Sequence, residues 1–404
     1  MKRILFLGSS FGILKIIEYA KSKGYYTIVT DYLDISRSRA KQVADEAWNI
    51  STSEIDVLER KCREYDVKAV LCGISEFNLD VLIELTGRLG LPCYCSKKQR
   101  GQSKDKRLFK RLCRELRIPV PEDYNVAELN AGSFINGLEV VVKPSDCAGS
   151  EGVTFCSDYS GLTEALKLAS EKSTSGNVII ERRLIGREFF AVYCFANDSI
   201  SLVTLNEMHS QKGFPTKCYS LVTSSNKYIK RFCNEIDPQI RYMFKHIGYK
   251  RGCAWVQTIL DADDSFYLLE MGAEYRLPDM FPVNGFNYAE WLFNEALGEG
   301  NNAFNNSVKK ICENKAIACE YLFWTCKADI IKRIIVLPEL SNQGIDVEML
   351  VKENESVEAF RIIGHALFYV ADTNAINNLL YKINNGIKVI GSNDESIIIP
   401  YEVL

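Results

Sequence analysis

Over its first 97 residues the chain alternates short apolar runs with amphipathic stretches, and few architectures accept that pattern. Ile4 to Leu7 runs into Gly8-Ser-Ser-Phe-Gly12 and then into an amphipathic stretch from Ile13 to Ser22. Thr27 to Val29 leads to Asp31, and Ala69 to Cys72 leads to Gly73. A helical pattern from Leu79 to Leu89 stops at Gly90, with Pro92 just beyond, a combination that ends helices. Strands alternating with helices require a parallel, doubly wound sheet. Gly8-x-x-x-Gly12 with Asp31 downstream lacks the GxGxxG spacing of a dinucleotide site, so it reads as a tight strand-to-helix turn. Ser75-Glu76 follows the fourth strand candidate, at the carboxyl edge where such sheets bind ligands. Glu76 has two readings: a holder of a substrate amine, or the acidic first turn of a capped helix.

The chain has 404 residues, enough for two or three domains. Hydrophobic residues make up 47% and charged residues 25%, as in an ordinary folded soluble protein. A net charge of −3 argues against nucleic-acid binding by bulk electrostatics. No apolar run approaches the roughly 18 residues of a membrane helix. The opening MKRILFLGSSFGILKII imitates a signal peptide, but Ser9, Ser10 and Lys15 interrupt it and no small-residue cleavage site follows, so a cytoplasmic protein is expected. Fourteen cysteines are irregularly spaced, without a CxxC, and three histidines complete no zinc pattern; the cysteines read as small buried hydrophobes.

From residue 98 onward the pattern changes. Asp105-Lys106 opens a basic helix, Lys104 to Arg117, that must stop at Ile118-Pro-Val-Pro121. Val140-Val-Val-Lys143-Pro144 runs into the turn Ser145-Asp-Cys-Ala-Gly149-Ser150-Glu-Gly152. Val178-Ile-Ile-Glu181 leads to Leu184-Ile-Gly186-Arg-Glu188. A hairpin follows, Val256-Gln257 to Asp261 and Phe266 to Glu270, ending in Met271-Gly-Ala-Glu-Tyr-Arg276. Residues 305 to 404 are strand-rich again.

These four features, in this order and spacing, resemble the ATP-grasp superfamily. The resemblance implies an α/β and α+β architecture: a Rossmann-like pre-ATP-grasp domain over 1–97, an ATP-grasp core over 98–304 with a mobile lid at about 121–184, and a strand-rich C-terminal domain over 305–404. It also implies ATP and Mg²⁺ as cofactors and an ADP-forming ligase that joins a small carboxylate to an amine through an acyl phosphate. A carbamoyl-phosphate-synthase-like activity, and nucleotide binding without ligase turnover, are the alternatives. Small-molecule substrates are the implied partners, with no nucleic acid and no membrane, and a homodimer is compatible with this reading.

The residues fit that chemistry. Lys106 and Lys143 carry point charges on flexible stems that reach phosphate, and the resemblance lets Lys143 reach the adenine as well. The turn holding Ser150 and Gly152 offers backbone N–H groups to phosphate oxygens. Glu181 to Leu184 is the hinge implied by the resemblance, with backbone groups of Arg183 and Leu184 edging the adenine and Glu188 on the ribose hydroxyls. Glu270 takes the place of the second metal carboxylate. Gln257 stands at the first, where the family has a carboxylate, and Gly272 stands where the family has an Asn. Arg276 is implied at the transferring phosphoryl group, although Ala273-Glu274 lengthens its usual spacing. His209 is expected on a loop at the substrate cleft, and Trp255 as a packing residue.

Overall fold

In the computed structural model the first residues form a four-stranded parallel sheet, in the order Glu46–Trp48, Tyr26–Thr30, Arg3–Leu7 and Val67–Cys72. The structure describes every residue except 11, 136, 148, 197–198, 212–213, 224–225, 277–286, 301–316, 373 and 401–404. The helix Ile13–Ser22 starts after Gly12, whose φ of 71° is left-handed, a conformation that glycine adopts without steric cost. Ile13, Ile16, Ile17 and Ala20 form its buried face. Full burial of such an aliphatic side chain contributes about 1.5–3 kcal/mol.

Asp31 does not face a ligand. Its carboxylate accepts Ser38 Oγ at 2.7 Å and the Leu33 N–H at 2.8 Å, and it pairs with the fully buried Lys41 at 2.9 Å. The loop after the second strand uses it up, which supports the plain reading of the glycine turn.

The chain divides into two compact units. The first holds Met1–Gly186, Ala191–Thr204 and Lys230–Ile311; the second holds Arg187–Phe190, Leu205–Ile229 and Cys312–Leu404. Residues 205–223, expected to belong with the middle region, thus group with the C-terminal strands, and the boundary expected at 304/305 lies outside the described residues.

Within the first unit, Val140–Pro144 lies between Thr154–Cys156 and Val178–Arg182 in an antiparallel sheet. The helix Tyr159–Lys172 covers it through Leu162, Ala165 and Ala169. The basic helix expected over 104–117 is Lys106–Glu115, and a separate helix, Lys97–Lys104, precedes it. Asp105 separates them: its carboxylate caps the second by accepting the Arg107 N–H at 2.8 Å, a strong helix-start interaction. The expected hairpin is Gly252–Asp261 paired with Phe266–Gly272.

Within the second unit, Phe214–Thr223, Ile317–Trp324, Ile362–Val370 and Asp346–Met349 form successive antiparallel pairs, packed with the helix Asn374–Gly386. His365 is buried between Glu320, 2.8 Å from Nδ1, and Glu348, 3.3 Å from Nε2. Burial disfavours its charged form, but the two carboxylates outweigh burial and push its pKa up to about 10.

Candidate active site

The turn after Val140–Pro144 is held from below. The Ser145 N–H donates to Asn177 O and Ser145 O accepts from the Lys106 N–H. The Asp146 carboxylate accepts from Ser173 Oγ at 2.6 Å and from the Thr174 and Ser175 N–H groups at 3.2 and 2.9 Å. Gly149, Ser150 and Gly152 have φ of 66°, 59° and 72°. A Cβ on Gly152 would lie 2.9 Å from Pro144 Cγ and 3.1 Å from Lys172 Cβ, so glycine is required there on two grounds. The left-handed residues turn the backbone so that successive N–H groups can face one anion.

Lys106 starts its helix directly behind this turn. Its ammonium donates to Cys147 O at 2.7 Å and pairs with Glu270 Oε2 at 3.3 Å. Burial disfavours its charge, but Glu270 outweighs burial and raises its pKa. Gln257 lies directly opposite Glu270 in the hairpin register. Lys106, Glu270 and Gln257, separated by up to 164 residues, are therefore one cluster.

Lys143, from the adjacent strand, is 7% exposed. Its ammonium pairs with Glu181 Oε1, while Glu181 Oε2 takes Lys110. Burial pulls the Lys143 pKa below the usual lysine value and Lys110 adds to the pull, against the opposing charge of Glu181. Burial works against the charged Glu181 carboxylate, but Lys143 and Lys110 overcome it and hold its pKa low.

At the expected hinge one backbone donor is already engaged. The Arg183 N–H donates to Glu139 O at 2.9 Å, so it is spent on the sheet and cannot donate to an adenine. Its side chain pairs with Glu139 at 2.9 Å and lies 4.7 Å from the Phe155 ring centre. Leu184 follows, partly buried, before Ile185, whose N–H donates to Asp261 Oδ1 at 2.7 Å.

At the far end of the hairpin, where the resemblance would place an Asn, neighbouring side chains fill the space beside Gly272. A Cβ on Gly272 would lie 2.2 Å from Trp255 Cε2 and 2.3 Å from Glu274 Oε2. Trp255 Nε1 donates to that same Glu274 oxygen at 2.6 Å. The space a side chain at 272 would fill is occupied by an indole and a carboxylate. Glu274, read from the sequence only as part of an insertion, is 2% exposed and also meets Arg100 at 3.3 Å. Burial raises its pKa, with Arg276 opposing. Arg276 lies 5.2 Å from the Trp255 ring centre. Its buried Nε has no hydrogen-bond partner among the described residues.

Glu76 begins the helix Glu76–Leu89, capped by Ser75, whose hydroxyl accepts the Asn78 N–H at 3.2 Å. One of its oxygens is taken by Arg100 at 3.0 Å. Arg100, also paired with Asp80 at 2.7 Å, received no notice from sequence reasoning, because its three carboxylates come from distant segments. Glu188 and His209 belong to the second unit. His209 is not on a loop: it lies in the strand Ser199–Gln211, opposite Ser220, and burial and then Arg187 lower its pKa. Lys212 and Gly213, the rest of that expected loop, lie outside the described residues.

Residues 105–281 match the family model described as "Carbamoyl-phosphate synthase L chain, ATP binding domain". A D-alanine–D-alanine ligase of Buchnera aphidicola subsp. Schizaphis graminum is 29% identical over 136 residues, 33% of this chain and 43% of that protein. The chain thus spans less than half of that relative. Among solved structures, the L-amino acid ligase of Bacillus licheniformis superposes with a TM-score of 0.78 at 14% identity, covering 97% of this chain and 99% of its own. The biotin carboxylase domain of Hydrogenobacter thermophilus 2-oxoglutarate carboxylase, solved with MgADP and bicarbonate, gives 0.77 at 15% identity, covering 96% and 91%. These superpositions establish the fold over nearly the whole chain.

Proposed function

We propose, from the ATP-grasp domain that residues 105–281 carry, that this protein is an ADP-forming ligase joining a small-molecule carboxylate to an amine. One observation carries the reading: Lys106 stands at the root of the glycine turn and on Glu270 at once, at 2.7 Å from Cys147 O and 3.3 Å from Glu270 Oε2. A phosphate chain lying between the turn and the hairpin would meet N–H donors, two lysines and a carboxylate for a counter-ion. In the proposed reaction a substrate carboxylate oxygen takes the γ-phosphoryl group and ADP leaves. The amine then attacks the acyl carbon, loses a proton, and inorganic phosphate departs.

Mg²⁺ suits the donors. The Glu270 carboxylate and the Gln257 amide oxygen are hard oxygen ligands on facing positions, and Glu270 already attracts a cation in the form of Lys106. Among the described residues no cluster of three or more His, Cys, Asp or Glu side chains could hold a metal. One ion shared with the nucleotide therefore suits this hairpin better than two. When bound, the ion would supply charge neutralisation for phosphoryl transfer. Arg276 would face the transferring group, where a planar fork stabilises developing charge. Glu76, with one oxygen on Arg100, would offer the other to a substrate amine.

A second reading is nucleotide binding without ligation, and the packing at Gly272 favours it, because Trp255 and Glu274 fill the place of a second metal-side ligand. ADP release measured over pools of carboxylates and amines, with Mg²⁺ and with EDTA, separates the two. Turnover on any pool that EDTA abolishes supports the ligase; tight ATP binding indifferent to Mg²⁺, without turnover on any pool, rejects it.

A further inference from the structure

Lys110 sits in the helix Lys106–Glu115, one turn after Lys106, and its side chain is 1% exposed. A lysine on a basic helix is ordinarily solvated; this one is enclosed. Its ammonium donates to Asp123 Oδ1 and Glu181 Oε2. Arg114, a turn further on, takes the other Asp123 oxygen, and Lys143 takes the other Glu181 oxygen. Asp123 and Glu181 face each other as a bridged pair of residues. Three cations thus share two carboxylates, and a positive charge is left over beside the glycine turn.

The surplus matters because a phosphate approaching Lys143 would compete with Glu181 for its ammonium. Taking the only counter-ion from a buried carboxylate is strongly unfavourable. With Lys110 in place the carboxylate keeps a partner, and the two ammonium groups that crowd Glu181 repel each other. We infer that Lys110 is a positioning residue for the nucleotide: it neutralises Glu181 so that Lys143 is free to exchange this carboxylate for a phosphate oxygen. The inference rests on the ATP reading above. It assigns Lys110 no contact with ATP.

The test is ATP affinity by calorimetry for wild type, Lys110→Met, Lys110→Met/Glu181→Gln and Asp123→Asn, with thermal melting of each. Lys110→Met should weaken ATP about ten- to hundredfold, because among the described residues Lys143 is then the only counter-ion of Glu181. The double variant should recover most of that loss, since the carboxylate that captures Lys143 is neutral. Asp123→Asn turns Lys110 wholly to Glu181 and should bind ATP as wild type does or more tightly. A Lys110 that only stabilises the fold would lower melting in each variant and give no recovery. Folded Lys110→Met with affinity within about twofold of wild type, or a double variant no better than the single, overturns the inference alone. If Lys110→Met does not fold, near-wild-type affinity in the other two variants supports the inference, and a loss of about tenfold in either overturns it. A wild type that binds no ATP overturns both this inference and the ATP reading.

Discussion

Around the glycine turn charged side chains interlock in ion pairs, with a surplus cation close by; at the hairpin end, beside Gly272, the space is filled by bulk. Lys106, Lys110, Lys143 and Arg114 face Glu270, Glu181 and Asp123 in an interlocked set. Gly272, Trp255 and Glu274 are instead packed to contact, and Arg276 keeps a buried Nε without a described partner. The first arrangement is one of paired charges. The second has little room for a second metal-side ligand, so binding and transfer can be altered separately.

The largest expected effect divides the two regions. Glu270→Gln removes the hairpin's only carboxylate beside Gln257, and ADP production should fall about hundredfold or more, while ATP binding in EDTA changes little. Equal losses in both measurements would place Glu270 on the nucleotide side and break the comparison. Next, Lys143→Ala should weaken ATP by about 1.5–3 kcal/mol, ten- to hundredfold in Kd; unchanged affinity in the folded variant would remove Lys143 from the site. Gly272→Asn should cost about 1–3 kcal/mol from overpacking against Trp255, seen as a lower melting temperature with ATP affinity retained. A variant of wild-type stability would mean that the hairpin end can open.

The smallest functional effect is expected from a control outside both regions. Because His365 has a folded pKa raised to about 10, the stability it contributes is fully present below its ordinary value of roughly 6.5 and is lost as pH rises through about 10. Melting of wild type should fall across that window, and His365→Gln should flatten the fall without changing ATP affinity. An equally steep decline in the variant would show that other groups carry it.

Local signals in the sequence account for much of this. The Ile13–Ser22 helix, the helix that ends at Gly90 and the hairpin around Asp261 follow from periodicity and turn residues close in the chain. Asp105-Lys106 was legible as a helix start, which the Asp105 cap on the Arg107 N–H bears out, whereas the separate helix Lys97–Lys104 before it was not read. His209 was read into a loop because Asn206-Glu-Met-His-Ser-Gln carries little strand character; pairing with Phe214–Thr223 decides otherwise. Lys110 and Arg100 were invisible as site residues for a different reason. Their burial is created by carboxylates 71 and 174 residues away, and nothing in a local charge pattern reports that. Glu274 looked like an inserted residue; its indole partner, nineteen positions earlier, gives it a place.

The two chain crossings into the three-stranded layer have a mechanical meaning. Pro119 O accepts the Leu268 N–H at 2.9 Å on the way in. On the way out, Asp261 holds the Ile185 N–H at 2.7 Å and Arg182 at 3.1 Å, and Gly186 passes so close that a Cβ would lie 1.9 Å from Leu260 O. The incoming and outgoing strands are also tied to each other, through Arg182 N–H on Glu122 O and Tyr124 N–H on Ile180 O. Both pivots are thus fastened to one hairpin, the one bearing Gln257 and Glu270. A rotation of the layer about these two attachments would carry the glycine turn relative to those two side chains.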